Sequence, residues 1–179
     1  MSIDNLQYIS EERIFMNELV LISIEIPDNL VINGKNIEKK DINEFIVPSS
    51  ITKLGDWCFD GCSSLTSITI PTRIIKIGGG CCFYVCPSLT SINIPSSISK
   101  IGDCCFSKYK SLTSITMPAP ISKIGTSCFE GCSSITSITI TSSITSFGYR
   151  CFYGCGCEEE LKKNKTIPRN CFDAWQQMK

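Results

Sequence analysis

The sequence predicts a solenoid of stacked repeats, in which each repeat adds one strand to a parallel β ladder and then makes a short helical turn. This α/β repeat architecture follows from two motifs, a hydroxyl-rich apolar segment and a Cys-Phe pair, that recur together about six times along 179 residues. Their period is 23 residues, with one step of 24 where residues 78–80 carry an extra glycine. One such unit cannot bury its own apolar side chains, whereas stacked units can, because each covers its neighbour.

The predicted strand is the segment Leu-Thr-Ser-Ile-Thr-Ile-Pro at residues 65–71. It recurs with small changes at residues 89–95, 112–118 and 135–141. Its last residues alternate with period two, so we expect Ile68 and Ile70 to be buried and Ser67 and Thr69 to face outward.

Two further elements complete each repeat. An Ile-x-x-Ile-Gly stretch, such as residues 98–102, carries two isoleucines that need burial. The Cys-Phe segment that follows is interpreted as a single helical turn. Gly61, Gly131 and Gly154 stand where a left-handed C-cap is expected.

The chain is predicted to divide into three parts. Residues 1–41 form an N-terminal cap and a degenerate repeat, in which residues 21–27 are a weak copy of the strand. Residues 42–157 form the repeats, beginning with another weak copy at residues 42–48. Residues 158–179 form a charged, helix-prone C-terminal cap that would close the open end of the core.

Composition excludes several classes of function. Lys plus Arg and Asp plus Glu both number 17, and this zero net charge disfavours a general nucleic-acid binder. The chain has no histidine, which removes the Ser-His-Asp triad, Cys-His dyads and His-based metal sites. No apolar run approaches the roughly 18 residues of a membrane-spanning helix. We therefore predict no enzyme activity, no catalytic residue, no cofactor and no metal.

Thirteen cysteines, many of them in columns, are the main chemical feature of the predicted core. The first column is Cys58, Cys82, Cys105, Cys128, Cys151 and Cys171. The second is Cys62, Cys86, Cys132 and Cys155, with Tyr109 in the third repeat. Because no signal peptide is visible, reduced thiols that act as small buried hydrophobes are favoured. Redox or metal chemistry between adjacent rungs is the alternative.

A column of phenylalanines accompanies the cysteines and is assigned to the core. Its members are Phe59, Phe83, Phe106, Phe129, Phe152 and Phe172.

A cationic column is predicted on the solvent side of the second element. It consists of Lys53, Lys76, Lys100 and Lys123, and it ends at Ser146. Between residues 57 and 157 there are seven basic and three acidic residues, an excess of four positive charges. A polyanion or an acidic protein could lie along this column. The alternative is a solvated edge that keeps the sheet soluble.

The outward side of the strands is the second candidate surface for a partner. It presents Ser67, Thr69, Ser91, Asn93, Ser114, Thr116, Ser137 and Thr139. The N-terminal rungs are predicted to add Ser23, Glu25, Glu44 and Ile46. Such a surface is flat and adaptable, but it lacks the Trp, Tyr and Arg anchors of most binding hot spots. An ordered-water lattice, as on an ice-binding sheet, is a weaker alternative.

Together, Leu-Thr-Ser-Ile-Thr-Ile-Pro, Ile-x-x-Ile-Gly and Cys-Phe-x-x-Cys closely resemble the BspA-like class of leucine-rich repeats. The resemblance covers residues 48–156 strongly and both ends weakly. It implies a right-handed, curved leucine-rich-repeat solenoid with a non-enzymatic role in binding other proteins. It also implies a likeness to bacterial surface adhesins.

The function predicted from these observations is a cytoplasmic, non-enzymatic protein-interaction scaffold whose partner is unknown. A cell-surface adhesin, which would require unconventional export, is the alternative. A thiol redox or metal-handling protein is a weaker one.

Overall fold

A computed structural model shows two parallel β ladders that share one core. It describes residues 20–21, 31–32, 35–36, 38–47, 49–78, 80–83 and 86–174. Thirteen strands occur in these ranges: β1 (Val20–Leu21), β2 (Val31–Ile32), β3 (Lys35–Asn36), β4 (Glu44–Ile46), β5 (Lys53–Leu54), β6 (Ser67–Thr69), β7 (Lys76–Ile77), β8 (Ser91–Ile92), β9 (Lys100–Ile101), β10 (Ser114–Ile115), β11 (Lys123–Ile124), β12 (Ser137–Ile138) and β13 (Ser146–Phe147). A short helix, α1 (Glu158–Leu161), follows, and two 3-10 helices span Lys39–Asp41 and Arg169–Cys171.

The first ladder, here called the serine ladder, contains the strands that the hydroxyl-rich segment predicts. It is formed by β4 with β6, and by β8, β10 and β12. Pairing is parallel and in register, with Ser114 opposite Ser91 and Ser137. Ile68 and Ile115 are buried, as the alternation predicts. The hydrogen-bonded ladder is interrupted between β6 and β8, which is the step of 24 residues.

The second ladder, here called the lysine ladder, is the longer one, and its strands were not predicted. It runs without interruption in the order β1, β5, β7, β9, β11 and β13. The burial of Ile98 and Ile101 is confirmed. Each strand has only two residues, and the Ile-x-x-Ile-Gly stretch that contains it lacks the period-two alternation that identifies a strand in a sequence.

The N-terminal strand β1 corrects one prediction. Leu21 lies opposite Leu54 in the lysine ladder, so residues 21–27 do not begin a copy of the serine-ladder strand. An apolar residue such as Leu21 suits either ladder, and the sequence match alone could not distinguish them. Ser23 and Glu25 lie outside the described residues. The weak copy at residues 42–48 is confirmed, because Phe45 is opposite Ile68.

The third side of each repeat consists of successive turns rather than the predicted helical turn. The residue before each of the first five Cys-Phe pairs has a positive φ, which a right-handed helix excludes. These residues and their φ angles are Trp57 (59°), Cys81 (40°), Cys104 (53°), Ser127 (51°) and Arg150 (58°). The left-handed glycines are confirmed: φ is 77° at Gly61, 69° at Gly131 and 65° at Gly154.

Backbone hydrogen bonds also join the rungs on this turn side. The Phe106 amide donates to the Cys128 carbonyl at 2.9 Å, and the Phe129 amide to the Cys151 carbonyl at 2.8 Å. The same bond closes the series from Phe152 to Cys171 at 3.0 Å. The repeats are therefore hydrogen-bonded to one another on three sides, which satisfies backbone groups that the stacking buries.

The phenylalanine column forms the centre of the core. Its rings stack along the solenoid, with centroid separations of 5.2 Å (Phe59–Phe83), 5.6 Å (Phe83–Phe106), 5.3 Å (Phe106–Phe129) and 6.0 Å (Phe129–Phe152). Interplanar angles for these four pairs are 12° or less. The first five rings are fully buried.

Close packing between successive rungs requires the glycine that ends each Ile-x-x-Ile-Gly stretch. A Cβ on Gly125 would collide with the backbone of Gly102, and one on Gly78 would collide with Gly55. Successive rungs approach each other too closely here for any side chain, so glycine recurs once in each repeat.

Residues after the last repeat cover the C-terminal end of the core. Phe172 stacks on Phe152 at 6.1 Å, and Leu161 and Ile167 are buried. Arg150, only 2% exposed, ties this segment to the preceding rung. Its guanidinium donates to Glu130 at 3.0 Å and to the Asp173 carbonyl at 2.7 Å.

The Phe106→Ala variant should lower the free energy of unfolding by about 3–5 kcal/mol, because it removes a fully buried ring between two stacked neighbours. Urea unfolding followed by circular dichroism measures the loss. Trp57→Ala, at a position that is 48% exposed, is the control and should change stability far less. Unchanged stability of Phe106→Ala would refute the stacked core.

The Glu130–Arg150 pair should make stability depend on pH. Partial burial raises the pKa of Glu130, but hydrogen bonds from Arg150 and Ser127 outweigh it, so the pKa is lowered overall. A lowered folded-state pKa stabilises the fold above the unfolded-state pKa of about 4.3, and this contribution is lost as the pH falls through the folded-state pKa. Glu130→Gln should therefore cost about 1–3 kcal/mol at pH 7 and much less near pH 3.

The control for this variant is Glu159→Gln, whose carboxylate is 87% exposed and pairs with Lys162 on the surface. It should cost less than about 0.5 kcal/mol at either pH. A Glu130→Gln cost that is the same at pH 7 and pH 3 would show that the ion pair does not stabilise the cap.

Candidate partner-binding surfaces

The outward side chains of the serine ladder lie in register on one exposed surface. All eight predicted positions are solvent-exposed: Ser67, Thr69, Ser91, Asn93, Ser114, Thr116, Ser137 and Thr139. Within the described residues, none of these eight side chains hydrogen-bonds to another part of the protein. Their donors and acceptors are free for water or a partner. Glu44 and Ile46 extend the surface, and Ile46 is 68% exposed.

A second column of hydroxyls, which the sequence does not distinguish from the first, has a structural role. The Thr66 hydroxyl donates to the Asn43 carbonyl at 2.8 Å. Thr113 and Thr136 donate in the same way to the preceding rung, both at 3.3 Å. In these three repeats the threonine hydroxyl therefore joins rungs, and the serine after it faces solvent.

The four lysines of the cationic column lie in adjacent strands, as their spacing predicts. Lys53 is opposite Lys76, and Lys100 is opposite Lys123, which is followed by Ser146. The lysines lie within the longest sheet and not at an edge of it, which differs from the solvated-edge interpretation. Two unit charges about 5 Å apart repel by roughly 1 kcal/mol in water, so the column carries a standing electrostatic cost.

The first cysteine column is buried. All six members are fully inaccessible, and the Sγ atoms of Cys58 and Cys82 are 3.2 Å apart. Burial raises the pKa values of Cys105 and Cys128 well above the ordinary thiol value. Neutral thiols in an inaccessible core are poor nucleophiles and poor metal ligands.

The second cysteine column makes hydrogen bonds to the backbone. The Cys132 thiol donates to the Phe106 carbonyl at 2.9 Å, and the Cys86 thiol donates to the Phe59 carbonyl at 3.2 Å. Tyr109 replaces a cysteine in this column and donates to the Leu89 carbonyl. A donor to a preceding rung is thus what the position requires, and a thiol or a phenol supplies it.

Two cysteines outside both columns, Cys81 and Cys104, are partly exposed. They occupy the left-handed position of adjacent repeats. Burial raises the pKa of Cys81 to about 11 and also raises that of Cys104. The sequence analysis did not single them out, although each directly precedes a column cysteine.

Among the residues that the structure describes, no three Cys, Asp or Glu side chains cluster so that they could hold a metal ion. No helix in this part of the chain is long and apolar enough to cross a membrane.

Parallel ladders stacked around a core of Leu, Ile and Phe define a leucine-rich-repeat solenoid. The family described as the BspA type leucine rich repeat region matches residues 2–81 and 31–158 in six copies. The chain therefore belongs to the BspA-type leucine-rich repeat family, and the resemblance seen in the sequence is confirmed. No curated protein sequence matches the chain.

Three crystal structures have a similar fold. A leucine rich cell surface protein from Faecalibacterium prausnitzii A2-165 is 24% identical with a TM-score of 0.65, over 84% of this chain and 39% of that one. A leucine-rich repeat protein from Bacteroides ovatus is 26% identical with a TM-score of 0.57, over 74% and 42%. A leucine rich repeat protein of T. pallidum is 22% identical with a TM-score of 0.61, over 83% and 89%.

The chain spans about two fifths of the length of the first and the second of these proteins. Family and fold together indicate a repeat scaffold for protein interaction.

Thiol labelling tests the structural role of the cysteines. We expect an uncharged alkylating reagent to modify two sites in the native protein, Cys81 and Cys104, and all thirteen in urea, with mass spectrometry as the measurement. The native rate at Cys81 should keep rising to about pH 11, because burial raises its pKa to that value and the thiolate is the reactive form.

The control for labelling is the Cys81→Ser/Cys104→Ser double variant, which should take up no label when native. Rapid native labelling in either buried column would instead support the thiol redox or metal alternative.

Proposed function

We propose that the chain is a non-enzymatic scaffold that binds a protein partner through the exposed face of the serine ladder. The observation that supports this most is the register of eight exposed small polar side chains, to which no other side chain or backbone group of the described residues hydrogen-bonds. Paired strands on either side of the interruption between β6 and β8 hold neighbouring rungs about 4.8 Å apart, so the surface is preorganised although each single contact to a partner is weak.

The chemistry of this face suits a broad and adaptable interface. Hydroxyl and amide side chains both donate and accept hydrogen bonds, and they lose little conformational entropy on binding. The exposed Trp57 lies on the turn side and not among the ladder strands. Affinity on the serine face would therefore come from many repeated contacts and not from one aromatic anchor.

The proposed location is the cytoplasm, because a reducing compartment maintains thirteen thiols, an odd number, without pairing. Surface display is the second candidate. It is favoured by the fold shared with a protein whose name describes it as a cell surface protein. Antibody labelling of intact and then permeabilised source cells separates the two. Signal on intact cells would make the adhesin role the leading one.

Binding is tested by introducing bulk and charge on the serine face. Ser91→Arg/Ser114→Arg should abolish capture of the partner from a source-cell lysate under reducing conditions, because two adjacent rungs would then carry long cationic side chains. Capture is measured by quantitative mass spectrometry against wild-type protein.

The matched control is Ser64→Arg/Ser134→Arg, which adds the same charge at exposed serines in the turns before the strands. It should retain capture. Equal loss in both variants would indicate a charge effect, and retention in both would contradict the proposed face.

A further inference from the structure

The lysine ladder presents four ammonium groups in a line along the solenoid axis. Lys53, Lys76, Lys100 and Lys123 project from consecutive strands, and three of them are exposed, with Lys53 half-buried. Adjacent parallel strands are about 4.8 Å apart, so the column is about 14 Å long. It is a linear array with a fixed repeat and not a diffuse basic patch.

These four lysines differ from the surface lysines that form ion pairs elsewhere in the described residues. Lys40 pairs with Glu38, Lys162 with Glu158 and Glu159, and Lys163 with Glu160. Within the described ranges, none of the four column lysines forms an ion pair or a hydrogen bond to another side chain. Four positive charges therefore stand in register without a carboxylate of the described residues to neutralise them. A ligand whose negative charges have the same spacing would supply that neutralisation.

We propose that the lysine column docks an acidic α-helix of a partner protein, lying parallel to the solenoid axis. This inference rests on the proposed function as a protein-interaction scaffold and names the chemistry of one partner. Carboxylates at helix positions i, i+3, i+7 and i+10 have axial offsets of about 0, 4.5, 10.5 and 15 Å, from a rise of 1.5 Å per residue. The lysine offsets are about 0, 4.8, 9.6 and 14.4 Å, so every pair matches to within about 1 Å.

An extended peptide fits this column poorly. Its side chains on one face recur every 6.6–6.8 Å or so, and the fourth carboxylate would be misplaced by about 6 Å, more than one rung. A flexible lysine side chain can compensate for a carboxylate that is displaced by about 1 Å along the axis. It cannot compensate for a displacement larger than the spacing between neighbouring lysines. The repeat therefore selects a helix over a strand.

The residues beside the lysines leave room for a helix. The neighbouring positions of the ladder are Thr52, Ile75, Ser99, Ser122 and Thr145, most of them small. Ile75, which directly precedes β7, is 51% exposed and is one of only three large hydrophobic residues that are exposed in the described part of the chain. An apolar residue that flanks the acidic stripe of an amphipathic helix would cover Ile75. The same partner thus accounts for both the unpaired charges and the exposed isoleucine.

The test uses two synthetic helical peptides of identical composition and matched helicity. One carries glutamate at i, i+3, i+7 and i+10, and the other has the same four glutamates distributed around the helix. Fluorescence anisotropy with the full chain should show that the first peptide binds about tenfold or more tightly than the second, because only it can form all four pairs at once.

Variants of the chain test whether the column is the site. Lys76→Gln/Lys100→Gln should weaken binding of the first peptide about tenfold, the loss expected for two surface ion pairs. Lys110→Gln/Lys165→Gln removes the same charge at exposed lysines outside the column and should leave binding within about twofold. Binding should also weaken as salt increases.

Other outcomes overturn the inference. Equal binding of both peptides would show a non-specific attraction of acidic ligands. Binding of heparin without binding of the first peptide would assign the column to a sulfated polysaccharide. If neither peptide binds while Ser91→Arg/Ser114→Arg still abolishes capture of the partner, the helix site is refuted and the serine-face function stands.

Discussion

Hydrogen bonding between the backbones of successive repeats is the constraint on which the rest of this structure depends. It acts on three sides of each rung: in the serine ladder, in the lysine ladder and in the turns that carry the Cys-Phe pairs. Because the bonds hold equivalent residues in register, each core residue contacts its own counterpart in the next repeat. The core therefore favours residues that pack well against themselves. Flat rings that stack at 5.2–6.0 Å and small thiols both meet that requirement.

The same register determines the surface. A residue type that recurs outside the core becomes a straight column with a spacing set by the backbone, whether it is serine, threonine or lysine. One substitution changes one rung only, and neighbouring rungs keep their contacts. Binding by such a surface depends on repetition, so that specificity comes from the match between the spacing of the array and that of its ligand. The two surfaces differ in this respect. The serine face is polar and can adapt to different ligands, whereas the lysine column presents charges at a fixed spacing.

Much of the fold could be predicted because the repeat is exact enough to align residue by residue. The strands of the serine ladder, the burial of the phenylalanine and cysteine columns, and the left-handed glycines all follow from alignment and alternation. The lysine ladder did not, because the Ile-x-x-Ile-Gly stretch shows no period-two alternation, and its existence depends on pairing between distant residues. The positive φ of Ser127 and Arg150 could not be predicted either, because this conformation normally occurs at glycine or asparagine. Tertiary hydrogen bonds impose that conformation on ordinary residues.

The candidate surfaces were predictable in their residues but not in their organisation. Exposure of Ser67 follows from alternation and that of Lys76 from its position before the buried Ile of the Ile-Gly step, whereas the division of hydroxyls into rung-joining and free sets follows from neither. Only the structure shows that the Thr66 hydroxyl bonds to the preceding rung, whereas the neighbouring Ser67 bonds to it through the backbone amide alone. The partial exposure of Cys81 and Cys104 could not be predicted either, because the equivalent left-handed residues Ser127 and Arg150 are buried.

Eleven of the thirteen thiols are buried, and this distribution links folding to the redox state of the surroundings. Global unfolding would release all eleven together into one flexible chain, where any two can meet. In an oxidising medium, the formation of random disulfides would then compete with refolding, and denaturation would become irreversible. The stacked repeats thus keep the buried thiols from oxidation. Under oxidising conditions, the lifetime of the fold is therefore set by the rate of global unfolding.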